Sequence, residues 1–222
     1  AAAGGSKPEP WHFEFAGYII GEHPAAFGSR ADLRESLGYQ SGERVCIVTV
    51  GGSGVGADLL RRVIAAFPSA KERVPELRMI VVAGPRIDPT SLPSHSGLEV
   101  VPYVHNLYRH LAACDLAVVQ GGLTTSMELT ANKRPFLFFP LRHHFEQNFH
   151  VRHRLNRYDA GHCMSYEEAS DPGLLAETIA KEIGRPVDYR PVETDGAARA
   201  AAGRRWLWAA EWGCCLSWWW RR

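Results

Sequence analysis

No apolar run in this 222-residue chain approaches the roughly 20 residues that cross a bilayer, and no basic-then-apolar leader opens it. The expectation is a soluble, cytoplasmic domain. Charge of either sign is not in excess: 25 Lys and Arg stand against 24 Asp and Glu, a net +1 that argues against a nucleic-acid partner. Cysteine is sparse. Cys46, Cys114, Cys163, Cys214 and Cys215 form no C-x-x-C pair and sit mostly in apolar stretches, so no disulfides are expected and the thiols read as buried groups in a reducing compartment. Two nucleotide motifs are missing as well. The glycine loop GGSGVG at 51–56 is followed by no Gly-Lys-Ser/Thr, which excludes a P-loop, and its third glycine comes one residue early for a clean G-x-G-x-x-G. The next strand-like run, 79–83, leads into Gly84, Pro85 and Arg86 where a dinucleotide fold wants an acid for the ribose, which argues against NAD. Tryptophan is nearly absent from the main body, where Trp11 stands alone; six of the seven fall in 204–222.

What is present is 45% apolar, enough for a core, and it reads as strand–loop–helix units. Strands are expected at 45–50, 79–83, 98–103, 115–119 and 136–139, and helices at 32–37, 57–67, 123–132 and 174–183, with a short loop and helix over 104–113. The fold class is α/β, a doubly wound, mainly parallel sheet forming a single domain with irregular ends. Residues 1–10, AAAGGSKPEP, read as linker, and 13–20, FEFAGYII, as the last strand of a preceding unit or a link into this one.

The stretch 118–148, VVQGGLTTSMELTANKRPFLFFPLRHHFEQN, carries the chemistry. Gly121 and Gly122 follow a buried strand and let a backbone approach a ligand closely. The helix after them has Thr124, Thr125 and Ser126 in its first turn, so free N–H groups and hydroxyls converge where a phosphate would sit. Glu128, about one and a half turns in, is placed to accept hydroxyl hydrogen bonds from a ribose. Pro135 breaks the helix, Pro140 ends the next strand, and Glu146 with Gln147 follow as candidates for sugar hydroxyls. Upstream, the glycine loop at 51–56 precedes a helix whose amino end faces it, a second place for an anion or polar ligand, with Ser53 and Gly54 as candidates. Singly these features are commonplace: a Gly-Gly turn, a tight glycine loop and a helical Glu are more often structural. Their order and spacing are the signal.

In that order, QGG, TTSME, RPFLFFP and EQ, the sequence resembles the carboxyl-terminal, donor-binding domain of GT-B glycosyltransferases, especially the branch of the bacterial lipid-II-forming N-acetylglucosamine transferase, over roughly 44–185. The resemblance implies that 1–43 is linker and interdomain junction, 44–185 the Rossmann-like nucleotide-sugar donor domain, and 186–222 an irregular tail. It implies that Gly121, Gly122, Thr124 and Thr125, with Ser53 and Gly54, face the donor diphosphate, Glu128 the ribose, and Glu146 and Gln147 the transferred sugar. The base would be held by main-chain groups of Val104 to Leu107. Gln120 stands where many relatives have histidine; a neutral amide can donate to a phosphate but cannot neutralise it. The implied activity is inverting, metal-independent transfer of a hexose or N-acetylhexosamine from a nucleoside-diphosphate sugar, a UDP-sugar first among them, to an acceptor hydroxyl. No cofactor is implied, and no catalytic base is named, since the acceptor half is absent and would be a separate domain or subunit. The alternative is a non-catalytic nucleotide-sugar-binding module.

His143, His144, His150 and His153 invite a metal, but no Cys or carboxylate completes a tetrahedral set at familiar spacing, so no metal site is expected. The tail RRWLWAAEWGCCLSWWWRR at 204–222 has two readings: an aromatic anchor for a membrane surface or partner, or a translated tail without an evolved role. Its tryptophans show no sustained helical period, which points to the second. Peripheral membrane association at the inner surface is the localisation the first would bring.

Overall fold

Apolar runs too continuous to alternate between core and water become the strands, as expected when both faces of a parallel sheet are covered. In the computed structural model, which describes residues 16–52, 54–141 and 144–202, these are β1 (Arg44–Thr49), β2 (Leu77–Val82), β3 (Leu98–Val101), β4 (Leu116–Val119), β5 (Phe136–Phe138) and β6 (His162–Cys163). Helices α1 (Arg30–Ser36), α2 (Ala57–Arg73), α3 (Leu107–Ala113), α4 (Leu123–Ala131), α5 (Arg152–Tyr158) and α6 (Pro172–Glu182) intervene. The six strands run in the order β3-β2-β1-β4-β5-β6, every pair parallel. That is the doubly wound order, and it reverses between β1 and β4.

The described residues fall into two compact units, one of 20–192, which holds the sheet, and one containing 16–19 and 193–202. Within the sheet, alternate residues serve opposite faces. Cys46, Val48, Met79, Val81, Leu116, Val118 and Leu137 meet the apolar stripe of α2, where Leu59, Leu60, Val63, Ile64 and Phe67 are buried, and that of α6 packed beside it. The residues between them, such as Ile47, Ile80, Ala117 and Phe136, are equally buried; α3 packs against α4 and α1 against α3.

Three local expectations need correction, and one turn was not anticipated. The helix expected to end at 67 continues through Pro68 to Arg73, because Ala70 and Val74 beyond it are buried in the core and that packing outweighs the lost hydrogen bond. Residues 16–20 form no strand; Tyr18 donates to the Glu193 carbonyl and Gly196 donates to that of Tyr18, two isolated bonds rather than a ladder, while 13–15 lie outside the described residues. The strand expected over 98–103 stops at Val101, just before Pro102. Glu146 to Val151 form a turn of π-helix that runs into α5. The Trp-rich 204–222, with Cys214 and Cys215, lies outside the described residues, as do Trp11 and the linker. No helix among the described residues is long and apolar enough to cross a membrane.

Asp115, just before β4, ties the sheet together at its amino-terminal edge. Its Oδ2 accepts the Val45 N–H at 2.8 Å, and its own N–H donates to the Val45 carbonyl. Arg30 donates to Oδ1 at 2.7 Å and Arg34 to Oδ2 at 2.8 Å, while Arg34 also reaches the carbonyls of Gln40 and Glu43. Burial alone would raise the Asp115 pKa, but the Arg30 and Val45 hydrogen bonds and the two guanidinium charges together hold it below the ordinary aspartate value. Asp115→Ala strands the buried Arg34 and should cost about 3–5 kcal/mol of unfolding free energy in urea titration. The carboxylate contributes in full above the unfolded value of about 3.9 and loses its contribution as pH falls through the lower folded value. Asp115→Asn should therefore flatten the acid limb of the stability curve.

Candidate functional site

The crevice at the carboxyl ends of β1 and β4 is where the strand order reverses, and it is built from the two glycine loops. Thr49 pairs with Val119, so the chain leaves the sheet at neighbouring points, into 50–56 on one side and Gln120, Gly121 and Gly122 on the other. The loops lie together: a side-chain carbon on Gly51 would stand 4.0 Å from Gln120 Oε1. Two glycines are required by geometry. A carbon added to Gly56 would lie 2.3 Å from Val50 Cβ, and Gly121 turns the chain at φ +79°.

Helix amino ends supply the donors. α2, α3 and α4 begin at Gly56, Asn106 and Gly122 without any side-chain cap, whereas α1 is capped by Ser29 and α6 by Asp171. These three start in the loops at the carboxyl ends of β1, β3 and β4, and their first N–H groups remain available to a ligand; α5 also lacks a side-chain cap but continues directly from the helical turn at Glu146–Val151, which itself starts uncapped at Phe145. At α4 the space beside Gly122 is open, Thr124 is exposed and Thr125 half-exposed. Ser126 differs from expectation: it is wholly buried, so its hydroxyl does not join the two threonines.

Glu128 sits further along α4, half-buried, with Oε1 accepting the Gly21 N–H at 3.1 Å. Burial raises its pKa and the Gly21 bond opposes that rise. Among the described residues no such bond reaches Oε2, which keeps its acceptor capacity. Gly21 also lies against Tyr108, since a carbon on it would come within 2.6 Å of that ring. The start of α3, with half-buried Val104 and Leu107, is thereby brought alongside Glu128.

Gln120 is buried, and its Nε2 donates to the Tyr166 hydroxyl at 3.1 Å. One of its two N–H donors is thus spent inside the protein, and Oε1 faces the glycine loop. Tyr166 was not legible as a site residue; it follows β6, a strand of two residues, and packs edge-on against Phe139. Burial raises its pKa. Arg62 of α2 lies over its ring at 5.9 Å, and a cleft of about 570 Å³ continues beyond it, past Pro140 and Arg152.

The structure brings Gly121, Gly122, Thr124, Thr125 and Gly54 to one edge of the sheet; Ser53 lies outside the described residues. Arg86 is exposed beside Gly54. Glu146 is exposed at the start of the π-helical turn, while Gln147 Oε1 accepts the Leu141 N–H at 2.9 Å and anchors the segment after β5. His144 accepts the Gln147 N–H at 3.4 Å, His150 lies edge-on to Phe145, His153 is exposed, and His143 lies outside the described residues.

Residues 45–199 match the model of the glycosyltransferase family 28 C-terminal domain. An uncharacterized glycosyltransferase of Methanopyrus kandleri is 27% identical over 188 residues, covering 84% of this chain and 52% of that protein. The UDP-N-acetylglucosamine--N-acetylmuramyl-(pentapeptide) pyrophosphoryl-undecaprenol N-acetylglucosamine transferase of Carboxydothermus hydrogenoformans is 30% identical over 116 residues, covering 50% of this chain and 31% of that enzyme. The chain thus spans about half or less of the curated relatives it matches. Among solved structures, the Methanocaldococcus jannaschii UDP-GlcNAc 2-epimerase aligns with a TM-score of 0.57 at 12% identity, covering 84% of this chain and 51% of that one. The spinosyn rhamnosyltransferase SpnG aligns at 0.53 and 22%, covering 84% and 45%. These likenesses show the fold, that of a GT-B carboxyl-terminal domain. With the family model spanning most of its residues, the chain belongs to the glycosyltransferase family 28 C-terminal domain family.

Proposed function

We propose that this chain is the donor-binding half of an inverting, metal-independent glycosyltransferase whose donor is a UDP-sugar. The observation that carries the proposal is the set of three uncapped helix amino ends, α2, α3 and α4, opening at the carboxyl edge of the sheet. Free N–H groups and the positive ends of helix dipoles stabilise an anion there. Gly121, Gly122, Thr124 and Thr125, with Ser53 and Gly54 opposite, hold the diphosphate; Glu128 takes a ribose hydroxyl through Oε2; main-chain groups of Val104 to Leu107 hold the base; Glu146 and Gln147 meet the sugar. The choice of UDP is supported by relatives named as UDP-N-acetylglucosamine transferases and by a fold neighbour solved with UDP-GlcNAc and UDP. The same names support a hexose or N-acetylhexosamine as the transferred group.

In the reaction an acceptor hydroxyl attacks the anomeric carbon from the side opposite the diphosphate. The new C–O bond forms, the bond to the diphosphate oxygen breaks with inversion, and the hydroxyl proton passes to a base in the acceptor half or at the cleft. The helix ends and threonine hydroxyls meet the charge that develops on the departing diphosphate, in the place of a metal. Gln120 is the observation that favours the second reading, a module that binds nucleotide sugars without transferring them: it carries no charge and spends a donor on Tyr166.

Calorimetry with UDP, dTDP and GDP should show one clear binder, UDP, weakened roughly tenfold or more by Glu128→Ala, the loss of a hydrogen bond to a charged group. The same affinity should decline on acidification at a pH above the ordinary glutamate value, because burial raises the Glu128 pKa. Absence of binding by all three to folded protein removes the proposal. Radiolabelled donor should yield no product with this chain alone and lipid or small-molecule acceptors; transfer without a partner would overturn the half-site reading.

A further inference from the structure

The amino-terminal edge of the sheet, opposite the crevice, carries a separate concentration of charge. A cavity of about 350 Å³ opens between the start of β1, the turn before β5 and the segment after α6, and its wall holds Arg30, Arg44, Lys133, Arg134 and Arg185 with Asp115 as its acid. Such a surplus stands out in a chain whose net charge is +1.

Part of it is spent within the fold. Arg30 donates to the Ala113 and Cys114 carbonyls at the end of α3 and to Asp115; Arg185 pairs with Glu182 at 2.7 Å; Lys133 reaches the exposed Asp188 at 3.2 Å. Cations at helix carboxyl ends are an ordinary stabilising device, and they account for those groups. They do not account for Arg44 and Arg134. Among the described residues the Arg44 side chain has no acidic partner, and Arg134 uses only Nε, on the Asn132 carbonyl at 2.9 Å. Burial, and then the neighbouring Arg30 charge, lower the Arg134 pKa, so this guanidinium is held against repulsion.

The backbone adds an independent sign. After α4, Arg134 N–H donates to the Leu129 carbonyl and Lys133 N–H to that of Thr130, the paired bonds of a Schellman turn. The residue between helix and turn must be left-handed, and Lys133 takes that conformation at φ +50°, where glycine would be free of strain. A strained lysine followed by an underused arginine, both on the wall of one cavity, is a feature that packing does not require.

We propose that this cavity is an anion site that takes a phosphate or pyrophosphate group, bound by Arg44, Lys133 and Arg134 with Arg30 and Arg185 behind them. Guanidinium forks match phosphate oxygens in geometry, and with Asp115, Glu182 and Asp188 set against Arg30, Arg185 and Lys133, the charges of Arg44 and Arg134 remain for a doubly charged group. The volume lies at the small end of ligand pockets, about 300–1,000 Å³, which suits a phosphate group rather than a whole nucleotide sugar. None of these residues lies in the crevice, so the site stands independently of the donor reading.

Calorimetric titration of the full chain with inorganic pyrophosphate, with UDP in excess to fill the crevice, should show a binding event that Arg44→Gln weakens about tenfold. Lys133→Gly separates binding from folding: it relieves the left-handed strain, so the thermal midpoint should hold or rise while pyrophosphate affinity falls. Sedimentation with vesicles distinguishes the source of the phosphate. Pelleting with phosphatidylglycerol but not phosphatidylcholine vesicles, lost in Arg44→Gln, assigns a lipid headgroup; binding of free pyrophosphate alone assigns a soluble anion. No response to either pyrophosphate or phosphatidylglycerol, or affinities unchanged in both variants, overturns the site.

Discussion

Asp115 binds the amino ends of β1 and β4 to each other and to α1, and the side-by-side exit of the two glycine loops follows from that junction. Its carboxylate takes the Val45 N–H and two guanidiniums in a buried setting, where an unpaired charge would be costly. Because the two strands are parallel, fixing their register at one end fixes which residues emerge together at the other. Thr49 opposite Val119 is the consequence, and the two glycine loops leave the sheet side by side. A slip of one residue between them would bring side chains of opposite faces side by side, mismatching the packing on α2, and would separate the loops.

At the crevice the backbone, more than the side chains, supplies the free hydrogen-bonding groups. Three helices start there without capping side chains, whereas Ser29 and Asp171 cap helices elsewhere in the fold. Leaving N–H groups uncapped costs helix stability, only about a few tenths of a kcal/mol where the N-cap is glycine, as at Gly56 and Gly122. An anion bound as proposed would offset that cost by taking the place of the cap. Glu128 adds the complementary acceptor, poised by the Gly21 contact that draws the start of α3 against α4.

The elements that lead into the crevice were legible because they depend on local chemistry. Residues 45–50 and 115–119 are apolar runs closed by glycine, and the observed strands Arg44–Thr49 and Leu116–Val119 differ from them by a residue or two. Gly121, Gly122 and Thr124 lie at the strand–helix turn that their order implied. What escaped notice depends on contacts distant in sequence. Asp115 meets Arg30 across 85 residues, and Gln120 meets Tyr166 across 46, neither leaving a periodic trace. β6 is two residues long and includes a histidine, too short and too polar to register as a strand. The helix expected over 57–67 errs in the opposite sense: the burial of Ala70 and Val74 carries it on through Pro68. Ser126 was grouped with the threonines by its place in the first helical turn, yet its side of the helix faces the core.

The central claim is that the amides at the start of α4 receive a diphosphate. Amide chemical shifts recorded as UDP is added test it directly: the resonances of Gly121, Gly122, Thr124 and Thr125 should move together and saturate with one dissociation constant. Shifts confined to other parts of the sheet, with these four amides unmoved at saturation, would contradict it.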